Sequence, residues 1–116
     1  MQEPDVTISP DGAIRVEWLV NTGRMSHEIW SPKVIAIAGG KTLFDLRDPD
    51  LDVSFDWLED GVFRMAFRWY SRGGHMTVFV DVPRRIFRIG DGPELILDEN
   101  AERKIISSYP WRGGAQ

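Results

Sequence analysis

A chain of 116 residues with a formal charge of −4 and no cysteine fits one domain on length alone, and excludes both a disulfide scaffold and a thiolate metal site. The acidic balance disfavours a general nucleic-acid binder, which needs a basic surplus. No run approaches the ~20 apolar residues of a membrane-spanning helix, and residues 1–10 lack the apolar stretch of a signal peptide, so the expected location is the cytoplasm.

Five tryptophans and six phenylalanines are a heavy aromatic load for this length, and aromatics favour strands and supply large buried areas. The whole chain, 1–116, is expected to form one β-rich domain with loose ends at 1–5 and 112–116. The first strand is expected at Val6 and Ile8. Ser9-Pro10-Asp11-Gly12 follows as a turn, because proline presets φ and glycine permits the reversal. Ile14, Val16, Trp18 and Val20 then alternate with polar residues, and a five-residue loop pairs Ile8 with Ile14 and Val6 with Val16.

Met25 to Pro32 resists assignment. Pro32 argues against a central strand there, leaving an edge strand or an ordered loop. Val34–Ala38 and Thr42–Leu46 flank Gly39-Gly40, a two-residue hairpin signal that sets Ile35 against Phe44 and Ile37 against Thr42.

The most informative stretch is Leu51 to Val82. Apolar residues alternate at Val53, Phe55 and Trp57, then at Phe63, Met65, Phe67 and Trp69, then at Met76, Val78, Val80 and Val82. If Asp60-Gly61 were a plain two-residue turn, Trp57 would face Arg64 and the apolar set of one strand would meet the charged set of the other. A three-residue loop at Glu59-Asp60-Gly61, closed by a left-handed glycine, sets Trp57 against Phe63, Phe55 against Met65 and Val53 against Phe67. On the opposite face, Asp56 then meets Arg64 and Asp52 meets Arg68. A Ser71–Gly74 loop pairs Trp69 with Met76, Phe67 with Val78 and Met65 with Val80, and so places Arg64 between Asp56 and Asp81.

Beyond Val82, Pro83-Arg84 turns the chain into a strand at Arg85–Ile89, with Val80 facing Phe87 and Val78 facing Ile89. Glu94–Leu97 is a further short strand. The segment after Asp98 reads as a helix through Ser107, with Ala101, Ile105 and Tyr109 on one face, or as a loop and a strand. The helix is preferred for its formers near a capping residue. The fold class is therefore all-β and mainly antiparallel, a meander of about eight to nine short strands forming a curved sheet, barrel or sandwich, with the option of one short C-terminal helix.

Two surfaces carry candidate chemistry. Arg64 and Arg68, with Asp56, Asp81, Tyr70 and His75 on the same face, form either a solvated ladder of ion pairs or the lining of a groove that holds an anionic ligand, since the guanidinium fork suits carboxylate and phosphate. Trp57 and Trp69 belong with the core by strand parity, whereas Trp30 and Trp111 sit in irregular segments and are the tryptophans suited to contact a partner. The two histidines, His27 and His75, give no metal-ligating spacing. No serine has a nucleophile-elbow context, and no phosphate loop precedes a helix, so neither a metal nor a cofactor is expected. The acidic run Asp45, Asp48, Asp50, Asp52, Asp56, Glu59 and Asp60 is a solubilising surface or a docking face for a basic protein. The leading expectation is a non-catalytic, inhibitor- or antitoxin-like binding module. A barrel holding an anionic ligand through Arg64 and Arg68 comes second, and an enzyme of unrecognised type third.

Overall fold

The computed structural model describes residues 5–22 and 28–110. Within them lie nine strands: β1 (Asp5–Ile8), β2 (Ile14–Thr22), β3 (Glu28–Ala36), β4 (Lys41–Asp45), β5 (Leu51–Glu59), β6 (Val62–Trp69), β7 (His75–Asp81), β8 (Ile86–Ile89) and β9 (Leu95–Ile96). A helix, α1 (Ala101–Ser107), follows. The strands form two antiparallel sheets, ordered β1-β2-β3-β4 and β5-β6-β7-β8-β9, and neither closes into a barrel. Asp5, expected to be loose, opens β1; residues 1–4, the methionine and histidine of 23–27, and Trp111 onward lie outside the described residues.

One core joins the sheets. Ile14, Val16, Val34 and Phe44 from the first sheet pack with Leu51, Phe63, Met65, Phe67, Trp69, Val78, Val80 and Phe87 from the second. At one end, Trp18 meets Trp30 and Phe55 edge-on at 5.8 and 5.5 Å, and Phe55 stacks on Trp57 at 4.9 Å. At the other, α1 turns Ala101 and Ile105 inward, and Tyr109, just past the helix, is buried 4.6 Å from Trp69. The helical option is thus the one adopted. Asn100 occupies the cap position, while Asp98 accepts the Asn100 N–H at 2.9 Å. Glu102 ties the helix to β4 by accepting the Asp45 amide at 2.7 Å.

The β5–β6 register is the expected one throughout, including Val53 with Phe67, Phe55 with Met65 and Trp57 with Phe63. The tip differs in detail. Glu59 lies opposite Val62, and a bulge between Trp57 and Glu59 absorbs the odd residue. Gly61 sits at φ 71° as the reversal requires. The pairs Val80–Phe87 and Val78–Ile89 are also as expected.

Four expectations fail, each for a physical reason. In the first hairpin Ile8 lies opposite Arg15 and Val6 opposite Glu17, one residue from the apolar match. Hydrogen bonding decides this register: Ser9 N–H donates to Ile14 O, Ile14 N–H to Ser9 Oγ, and Asp11 accepts from both the Ser9 hydroxyl and the Ala13 amide. Val6 and Ile8 consequently stay 42% and 47% exposed on a strand that is the edge of its sheet among the described residues.

The second failure is Pro32, which lies within β3, between β2 and β4. Its carbonyl accepts the Leu46 amide, and in a strand the N–H and C=O of one residue point to the same side. The absent N–H therefore faces the side where β4 has run out, since that ladder ends at Lys33–Asp45. The β2–β3 ladder loses no bond.

The third is the Gly39-Gly40 hairpin. A single 3-10 turn at Ala38–Gly40 and a bulge set Val34, not Ile35, against Phe44, and Ile35 against Thr42. The shift buries Val34 and Phe44 completely and leaves Ile37 exposed. The fourth is the β6–β7 register. The four-residue loop sits one position earlier than expected, at 70–73, so that Trp69 pairs with Gly74, Phe67 faces Met76, Met65 faces Val78 and Phe63 faces Val80. A two-residue slip preserves parity, so both faces remain chemically satisfied and the apolar pattern alone cannot choose between the registers.

Candidate functional site

The outer face of the second sheet is built in rows across the strands. One row runs Asp52, Arg68, His75; the next runs Ser54, Ala66, Thr77; the third runs Asp56, Arg64, Phe79, Arg88. Arg64 donates from Nη2 to Asp56 Oδ2 at 2.5 Å, and Arg68 Nη2 lies 3.7 Å from Asp52 Oδ2. Both arginines are exposed, as is His75 opposite Arg68.

Two of the expected members do not join this face. Asp81 faces Val62 rather than Arg64. It is 7% exposed and closes the turn into β8, accepting the Arg84 amide at 3.0 Å with the Arg84 guanidinium 3.8 Å away. The register slip explains why Arg64 has one neighbouring carboxylate instead of two. Tyr70 has left the strand for the following turn, where its amide donates to Asp50 O. Trp30 is half-buried against Trp18, and its amide donates to Asp52 Oδ1, so the same carboxylate serves both sheets. Trp111 and His27 fall outside the described residues.

A second site lies where the tip of the β5–β6 hairpin meets the β1–β2 turn. The cleft there has a volume of about 290 Å³, with Ile14, Trp57 and Phe63 in its wall and Leu58 at its mouth. Asp11 ties the two turns together: Oδ1 accepts from Ser9 Oγ at 2.5 Å and Ala13 N at 3.0 Å, and Oδ2 from Gly61 N at 2.6 Å. These donors, the Ser9 hydroxyl foremost, hold the Asp11 carboxyl below its ordinary value of 3.8. Among the described residues Asp11, Glu59 and Asp60 have no basic side chain at ion-pair distance, whereas Asp45, Asp52, Asp56, Asp81 and Glu94 each have an arginine.

A group whose folded value lies below its unfolded one stabilises fully above the unfolded value, and that contribution disappears as pH falls through the folded value. Asp45, held low chiefly by Arg47, acts in the same direction. Replacing Asp11 with Asn is therefore expected to lower the thermal midpoint at neutral pH. The difference from the native chain should shrink as pH falls through the acid range. A deficit that stays constant from pH 7 to the acid limit would show that the carboxylate charge is irrelevant.

Sequence reasoning missed the end cleft because Ser9-Pro10-Asp11-Gly12 reads as a self-contained turn. Nothing local signals that Asp11 reaches a glycine 50 positions onward. Among the described residues no three His, Cys, Asp or Glu converge in a metal-ligating group, and no helix is long and apolar enough to cross a membrane. Comparison with known proteins finds no matching family model, no matching curated protein and no matching solved structure.

Proposed function

We propose that this chain is a non-catalytic, acidic binding module of the cytoplasm that takes hold of a basic segment of another protein, in the manner of an inhibitor or antitoxin. The observation that carries the reading is the cleft at the β5–β6 tip, whose apolar wall of Trp57, Phe63 and Ile14 is rimmed by Asp11, Glu59 and Asp60, with no ion-paired cation on them among the described residues. Leu58 is 44% exposed at its mouth, and burying such a side chain contributes about 1.5–3 kcal/mol. A lysine or arginine suits this arrangement: its aliphatic stem covers the apolar wall while its charge reaches the carboxylates. Charge of one sign along the rim also raises the rate of encounter with a basic partner.

A peptide of alternating lysine and leucine, titrated calorimetrically, tests the reading. Binding should weaken about tenfold or more when Glu59 and Asp60 are both changed to Lys, a loss equivalent to about 1.4 kcal/mol. It should also weaken steeply with added salt. Unchanged affinity in the double variant would overturn it. The barrel that would hold an anion between Arg64 and Arg68 ranks second, because neither sheet closes into a barrel and Ala66 separates the two arginines along their face of β6.

A further inference from the structure

We propose that the outer face of the second sheet holds an oxyanion, a phosphate or carboxylate group, between Arg64 and Arg88 over Phe79. The inference is independent of the end cleft. It starts from the cross-strand row Arg64–Phe79–Arg88, which sets two guanidiniums on β6 and β8 with an aromatic ring on β7 between them. Strands two apart lie about 9–10 Å from each other, a gap that two arginine side chains close from either side.

The two arginines are prepared differently. Arg88 Cζ lies 5.0 Å from the centroid of Phe79, so the ring fixes the cation without consuming the N–H donors at its edge. Among the described residues no carboxylate lies at ion-pair distance from Arg88. Arg64 gives one nitrogen to Asp56, which anchors it, and a guanidinium has five N–H donors to distribute.

Arg64, Thr77, Phe79, Arg88 and Asp91 line a hollow of about 440 Å³ above this row, closed at one end by the Gly90–Gly92 turn. The Gly90 and Gly92 amides already donate to Thr77 O and Ile89 O, so recognition falls to the side chains. The two forks supply paired donors matched to an oxyanion, and the Thr77 hydroxyl supplies a third. Asp91 stands at the rim as the opposing charge that limits affinity.

The test is a nuclear magnetic resonance titration of the full chain with potassium phosphate, and separately with sodium acetate, against potassium chloride at equal ionic strength. Saturating shifts are expected at Arg64, Thr77, Phe79, Arg88 and Asp91. Arg88→Ala should weaken the binding about tenfold or more, since charge-assisted paired bonds are the strong ones. Asp91→Asn should strengthen it, and Arg85→Ala, in the neighbouring turn, should leave it unchanged. Saturation by phosphate alone identifies a phosphate site, and saturation by both anions one that also takes carboxylates. Shifts that match those in chloride, or an Arg88→Ala chain that titrates like Arg85→Ala, would overturn the proposal.

Discussion

Changing Gly61 to alanine is expected to cost about 2–4 kcal/mol of unfolding free energy, from a left-handed backbone that an L-residue resists and from crowding in a closed space. Gly61 stands at φ 71°, and a Cβ built there would lie 2.7 Å from Pro83 Cδ and 3.0 Å from Cγ. The proline ring is stiff and cannot rotate aside as the end of a flexible chain would. Moving the Gly61 backbone instead would lengthen the 2.6 Å bond from its amide to Asp11 and would leave a buried donor poorly satisfied. Gly39 is the internal comparison, with φ 83° and open space where a Cβ would go. Its alanine variant should show only the backbone cost, about 1–2 kcal/mol. Urea unfolding of the two variants separates the terms, and equal losses would show that Pro83 yields freely.

Phe63→Ala is expected to cost about 3–5 kcal/mol, the usual range for an aromatic removed from a closed core. Phe63 is fully buried, faces Trp57 across one ladder and Val80 across the next, and packs within 5.4 Å of Trp57 and 5.7 Å of Phe55. Those rings are fixed by the strands that carry them, so the vacated volume cannot collapse fully. Phe55 is only half-buried, and its alanine variant should lose clearly less. A chain of this length has a stability of order 6–17 kcal/mol, so the Phe63 loss is a large fraction of the total only toward the lower end of that range. Thermal and urea unfolding check the ranking. A loss below that of Phe55→Ala would remove Phe63 from the centre of the aromatic cluster.

How much of this could be read beforehand depended on whether a wrong register would have exposed itself. At β5–β6 a one-residue error buries Arg64 and Arg68 and exposes Phe63 and Phe67, so the pattern admits one answer, and it is the observed one. At β6–β7 the competing registers differ by two residues and bury the same side chains. The Arg64–Phe79–Arg88 row stayed hidden for that reason alone, since the β7–β8 pairing that aligns Phe79 with Arg88 follows from Val80 facing Phe87. At β1 the apolar match between Ile8 and Ile14 was outweighed by the polar chemistry of Ser9 and Asp11, at an edge where two half-exposed aliphatic side chains cost little. Pro32 misled because its prohibition applies to one side of a strand, and the sequence does not say on which side the regular ladder has ended. The helix, by contrast, was legible from three residues, Ala101, Ile105 and Tyr109, all of which turn inward.

Every hydrogen-bonded strand neighbour in both sheets is also the next strand in the chain. Each ladder is therefore assembled by closing a short loop, for which the entropic toll grows only slowly with length. Hairpins of this kind zip up within about 1–10 μs. The search that remains is the encounter of two meanders that are each greasy on one side, with the Asp11–Gly61 and Asp45–Glu102 bonds among its most distant fastenings. The pace of folding is then expected to be set by that late docking event, and not by the discovery of partners inside either meander.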